Sequence, residues 1–165
     1  MFAQRSVLPS ITIIMLGLSM IQTSMAQDTV SKENNQVVDG YVAKWFDATS
    51  GVRLPYRFYG ASAHDGERLP LVIFLHGAGE RGDDNLKQLK HGAKEFSASA
   101  FQKAHPCFVI APQCAEEQKW VDHDWDVQEV KQPEAISKHL SATIELIEKV
   151  AQEFPIDRSR IYITG

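Results

Sequence analysis

Leu69-Pro-Leu-Val-Ile-Phe-Leu-His-Gly-Ala-Gly-Glu-Arg-Gly-Asp-Asp-Asn85 decides how this 165-residue chain is read. Its first half holds a continuous apolar run, Leu71-Val-Ile-Phe-Leu75, so both faces of the strand need cover. That pattern predicts a parallel strand within an α/β sheet. The glycine-rich half begins at His76, where such a strand empties at its carboxyl end. Open α/β sheets place ligand chemistry there. A second continuous run, Cys107-Phe-Val-Ile-Ala111, predicts another parallel strand, and residues 85–91 and 93–103 between the two are helix-compatible.

Outward from this centre, residues 37–58 alternate with period two around Thr49-Ser50-Gly51, which predicts an antiparallel hairpin. Pro55 points to an edge or irregular position for its second strand. Residues 61–68 read as a surface loop and residues 113–132 as an irregular stretch containing Trp120 and Trp125. Pro133 then opens an amphipathic helix ended by Pro155, with Ile136, Leu140, Thr143/Ile144, Ile147, Val150/Ala151 and Phe154 on one face. Residues 160–164 begin a third short strand. Hairpin, then β-α-β-α-β, is the order of an α/β domain with an antiparallel edge.

The glycine loop has two readings. Gly77-Ala-Gly-Glu-Arg-Gly82 matches the dinucleotide fingerprint G-x-G-x-x-G. That motif must open a helix, yet Asp83-Asp84-Asn85 follows and puts carboxylates where a pyrophosphate would lie. Ala111-Pro112-Gln113 also stands where a ribose-binding acid is needed. In the other reading, His76-Gly77 after a buried strand supplies half of an oxyanion hole, as in serine hydrolases of α/β-hydrolase fold. The chemistry requires a backbone N–H aimed at an oxygen that becomes negative, and small residues let the backbone approach. Gly77 and Ala78 are the candidate donors. Without chemistry, the same residues would simply make a tight strand-to-loop turn.

The 69–85 stretch resembles the oxyanion-loop segment of secreted α/β-hydrolases variously called predicted peptidases, phospholipase/carboxylesterase-like proteins and polyhydroxybutyrate-depolymerase-like esterases. Phe108-Val-Ile-Ala-Pro-Gln-Cys114, with Trp120 soon after, resembles that family's next strand and loop. Arg160-Ile-Tyr-Ile-Thr-Gly165 resembles the strand entering its nucleophile elbow. The resemblance covers residues 37–165 and implies the amino-terminal part of an α/β-hydrolase fold, truncated just before the elbow. It implies a parent enzyme that cleaves carboxylic ester or peptide bonds through a Ser-His-Asp/Glu triad and an acyl-enzyme, without cofactor. Gly165 fits the first glycine of G-x-S-x-G, so the nucleophile and its partners are expected after it, and this chain alone is expected to be inactive. A non-enzymatic secreted binding module on the same fold is the alternative.

The remaining sequence narrows the classes. Arg5, an eleven-residue apolar run from Ile11 to Ile21, and Ser24-Met25-Ala26 form the anatomy of a signal peptide cleaved after Ala26. Eleven residues fall short of the roughly 20 that cross a hydrocarbon core, so a secreted or periplasmic protein without a membrane span is expected. Residues 27–36 are polar and read as a disordered lead-in. Without Arg5, 16 basic side chains face 21 acidic ones and no basic stripe appears, which argues against nucleic-acid binding. The 44% apolar content is ordinary for a globular chain, and two cysteines are too few for a disulfide scaffold.

Individual side chains carry further expectations. His76 braces the loop in preference to transferring a proton, and Glu80 and Arg81 either fix its geometry or contact substrate. Trp120 and Trp125 line a substrate pocket or anchor their loop. His64, His91, His105 and His139 are read as solvated. Asp122-His123-Asp124 lacks the three or four convergent groups that a zinc ion needs, and no metal is expected. Cys107 and Cys114 bracket a strand of about 23 Å, far beyond the roughly 5.5 Å between bridged Cα atoms. Cys107 is read as buried, and Cys114 as free or paired elsewhere.

Overall fold

A computed structural model describes residues 36–123, 126, 128, 129 and 133–165. The expected signal peptide, most of the expected lead-in, Asp124 and Trp125 lie outside the described residues. Gln36 does not behave as lead-in: its carbonyl accepts from Ala43 N–H at 3.0 Å and from the Arg57 guanidinium at 2.7 Å.

Six strands form one mixed sheet in the order β1-β2-β3-β5-β4-β6. They are β1 (Val37–Val38), β2 (Tyr41–Asp47), β3 (Arg53–Tyr59), β4 (Leu69–Phe74), β5 (Phe108–Pro112) and β6 (Ile156–Thr164). The expected single hairpin is two. Asp39 and Gly40, with φ of 50° and 81°, turn β1 into β2, as Asp-Gly does when both turn residues must be left-handed. Strand β3 is internal, not an edge, pairing antiparallel with β2 and β5. Pro55 is tolerated because the β5 ladder starts at Tyr56, while the Pro55 carbonyl still accepts from Gln113 N–H at 2.8 Å.

Strands β4 and β5 are parallel, as are β4 and β6. Both continuous apolar runs therefore lie inside the sheet. The connection from β4 to β5 carries α1 (Ala93–Ser97) and α2 (Ser99–Ala104), and that from β5 to β6 carries α3 (Lys138–Glu153). Val72, Phe74, Val109 and Ala111 pack with Ala93, Phe96 and Phe101 in one core layer. Leu71, Ile73, Phe108 and Ile110 pack with Ala142, Leu146 and Val150 in the other. Successive helices thus cover opposite faces, so the carboxyl ends of β4 and β5 form a topological switch point, where open sheets leave a crevice.

The helices depart from the expected limits for local reasons. Residues 85–91 form only a 3₁₀ turn, Lys87–Leu89. The Asp84 carboxylate takes the N–H groups of Leu86 and Lys87 at 2.8 and 3.0 Å, anchoring a turn in place of a helix. The 93–103 helix breaks at Ala98, whose ψ is 135°. Helix α3 starts at Lys138, not Pro133, because Ser137 caps it by accepting from Leu140 N–H at 3.1 Å. Its buried stripe is His139, Ala142, Thr143, Leu146, Val150 and Ala151, whereas Ile136 and Ile144 are exposed. Strand β6 begins at Ile156, four residues before the expected start at Arg160. No helix among the described residues is long and apolar enough to cross a membrane.

Candidate active site

The glycine loop leaves β4 against the end of β6. Leu75 N–H donates to the Thr164 carbonyl at 2.8 Å, and a Cβ placed on Gly165 would lie 1.9 Å from the Leu75 carbonyl oxygen. No side chain fits there. His76 follows, then Gly77 in extended conformation, then a 3₁₀ turn over Ala78–Glu80.

The buried His76 ring ties the loop after β4 to the loop after β5. Cys114 N–H donates to Nε2 at 2.9 Å, and Nδ1 lies 2.7 Å from the Gly77 carbonyl oxygen. An N–H can only donate, so Nε2 is the unprotonated nitrogen and Nδ1–H donates to Gly77. Burial lowers the pKa of His76, in keeping with this neutral tautomer; the Gly77 hydrogen bond and Glu80 oppose the shift. The Trp120 indole N–H donates to the His76 carbonyl at 3.0 Å, and the two rings meet edge-on at 5.2 Å.

Glu80 N–H returns to the Gly77 carbonyl at 3.2 Å, and its carboxylate stands 3.9 Å from His91 Nε2. Arg81 Nε donates to the Ala78 carbonyl at 2.9 Å, and its guanidinium reaches the Gln118 carbonyl at 3.2 Å. Gly82 N–H donates to the Cys114 carbonyl at 2.9 Å. Gly77, Ala78, Cys114 and Trp120 border a cavity of about 40 Å³. Among the described residues, neither the Gly77 nor the Ala78 N–H has an acceptor in the protein.

Beneath the loop lies a polar cluster that the sequence reading passed over. Gln113, fully buried, accepts from Asn85 N–H at 2.7 Å and donates to the Glu80 carbonyl at 3.1 Å and Asp84 Oδ1 at 2.9 Å. Burial pushes the Asp84 carboxyl up, but the N–H groups of Lys87 and Leu86 and the Gln113 amide outweigh it and hold the group below its ordinary value. Asn85, left-handed at φ 50°, donates to the Lys44 carbonyl at 3.0 Å, and its own carbonyl accepts from Arg57 Nε. The Arg57 guanidinium is fully buried among carbonyl oxygens. The local sequence carries no sign of it: Pro55 points the strand that holds Arg57 to an edge or irregular position, yet both edges of that strand are paired.

The structure thus brings His76, Gly77, Ala78, Glu80, Arg81 and Trp120 into one cluster, while Trp125 lies outside the described residues. His64, His91 and His105 are exposed, as read from the sequence. His139 is the exception: it is buried on α3, and burial lowers its pKa although Asp122 opposes the shift. Helical position alone does not tell a solvated histidine from one turned inward. Cys107 and Cys114 are both buried and free, and burial raises the Cys114 thiol to about 11. Gly82 leads into a three-residue turn with no helix behind it, so the dinucleotide reading lacks the helix N-terminus that a pyrophosphate requires.

No protein-family model and no curated protein matches the chain. Among solved structures it is similar to a thermostable esterase, with 40% identity and a TM-score of 0.70 over 78% of this chain and 35% of that one. Esterase LipW from Mycobacterium marinum is 14% identical over 90% of this chain and 41% of that one, with a TM-score of 0.44. A Pyrobaculum calidifontis esterase is 16% identical over 97% and 45%, with a TM-score of 0.40. The chain spans about a third of the length of the thermostable esterase that it matches. Its switch-point topology and that likeness give it the fold of an esterase-like α/β-hydrolase.

Proposed function

We propose that this chain carries the oxyanion-loop portion of an exported serine hydrolase acting on carboxylic ester or peptide bonds. One observation carries the reading: two adjacent N–H groups, on Gly77 and Ala78, are left without acceptors among the described residues, in a loop whose carbonyls are tied down at the switch point of the sheet. An oxyanion hole needs donors fixed before the charge arises and not spent on the protein itself. The 40% identity to an esterase favours esters over peptides.

In this reading Gly77 and Ala78 donate to the tetrahedral oxyanion. His76, Glu80 and Arg81 hold the loop, with Trp120 against it. Gly165 is the first glycine of the elbow, whose close approach to Leu75 leaves no room for a Cβ. The nucleophilic Ser would stand two residues beyond it, with Asp/Glu and His later in the sequence. Residues 1–26 would direct export and be removed after Ala26, which amino-terminal sequencing of the exported protein would check.

The purified 165-residue chain is expected to leave a p-nitrophenyl ester at the rate of a heat-denatured control. Turnover well above that control would remove the requirement for a triad beyond Gly165.

A further inference from the structure

We infer that Trp120 and His76 are paired positioning residues, each fixing one of the two candidate oxyanion donors through the carbonyl of that donor's own peptide unit. A peptide unit is planar and trans, so its C=O and N–H point in opposite directions, and holding one aims the other. The His76 carbonyl and the Gly77 N–H share one such unit. The Trp120 indole N–H holds that carbonyl at 3.0 Å. The Gly77 carbonyl and the Ala78 N–H share the next unit, held by His76 Nδ1–H at 2.7 Å and by Glu80 N–H at 3.2 Å. Each donor therefore points away from the group that anchors its carbonyl. Each is also polarised, since a hydrogen bond accepted at the carbonyl strengthens the N–H on the same unit.

The anchors are themselves tied to separate elements. His76 Nε2 accepts from Cys114 N–H at 2.9 Å, linking the second donor to the loop after β5. The Trp120 carbonyl accepts from Ser137 Oγ at 2.8 Å, and the same hydroxyl caps α3. The first donor is thus linked to Ser137 at the amino terminus of α3, 17 positions beyond Trp120 in the sequence. This assigns Trp120 to loop geometry by its polar edge, in place of the pocket wall suggested by its aromatic face. The assignment depends on the hydrolase reading only for its purpose, because the peptide geometry stands without it.

The test uses the ¹⁵N-labelled full chain carrying Trp120→Phe, which keeps an aromatic ring against His76 and removes the indole N–H. The Gly77 amide proton is expected to move upfield and its heteronuclear NOE to fall, with the Ala78 amide moving less than half as far. His76→Gln is expected to give the opposite order. Ser137→Ala, which frees the Trp120 carbonyl and leaves the indole N–H in place, should reproduce the Trp120→Phe pattern at smaller amplitude, and it decides the matter if Trp120→Phe does not fold. Equal responses of Gly77 and Ala78, or none at Gly77, would overturn the inference. Ester hydrolysis plays no part in this readout, so the hydrolase reading and the positioning role fail separately.

Discussion

Gly165 and the Leu75 carbonyl oxygen are in such close contact that a Cβ on the glycine would stand 1.9 Å from that oxygen. The contact seals the parallel β4–β6 pair where the glycine loop begins, one residue beyond the 2.8 Å bond from Leu75 N–H to Thr164. Gly165→Ala is expected to push the end of β6 away and break that bond. The cost is about 1 kcal/mol, the net worth of one backbone hydrogen bond. Faster amide exchange at Leu75, with exchange at Ile73 unchanged, is the expected signature.

Acid should destabilise the fold through its two buried histidines. His76 and His139 both have pKa values lowered by burial, so below the unfolded-state value of about 6.5 the unfolded chain binds more protons. Their contribution is therefore fully present above about pH 6.5 and is lost as pH falls through the folded-state values. Protonating His76 also puts a second N–H against the Cys114 N–H, which has lost its acceptor. Urea midpoints measured at pH 7.5 and pH 5 should show the loss, and His76→Gln should flatten it. An equal drop in that variant would place the acid sensitivity elsewhere.

Helix α3 separates apolar pattern from actual burial. Leu146 is fully buried, while Ile144 is 46% exposed. Leu146→Ala should cost about 2–5 kcal/mol by opening a cavity, and Ile144→Ala less than about 1 kcal/mol. Thermal or urea unfolding of the two variants compares them directly.

Arg57 is a structural cation held by carbonyl oxygens of Gln36, Tyr41 and Asn85, with burial lowering its pKa. Arg57→Met should cost about 3 kcal/mol or more, because several buried acceptors lose their donor at once. Arg57→Lys should recover less than half of that loss. A single ammonium cannot reach from Asn85 to Gln36 as the fork of Nε, Nη1 and Nη2 does. Near-complete rescue by lysine would show that charge, not the fork, is what matters.

The features most readable from sequence were those with strong local chemistry. The continuous runs 71–75 and 107–111 read as strands covered on both faces, and β4 and β5 both lie inside the sheet. The glycine loop was readable as a candidate site because it follows a continuous apolar strand, and the structure places it after β4. What escaped depended on partners distant in sequence. Pro55 marks an edge only if no strand lies beyond it, yet β5 comes from more than fifty residues away and pairs with β3 from Tyr56 onward. Ile136 and Ile144 fit a helical stripe as well as Leu146 does, and only the position of the sheet decides which stripe is buried. Gln113 and Asn85 gave no polar-core signal because the hydrogen bond between them spans 28 positions of the sequence.

The central claim, that the loop at Gly77 and Ala78 serves a nucleophile carried by the next turn after β6, is tested most directly by reading the encoding DNA past the Gly165 codon. A continuation of the form x-Ser-x-Gly is the expected result. A stop codon, or any residue other than serine at the second position, would contradict it.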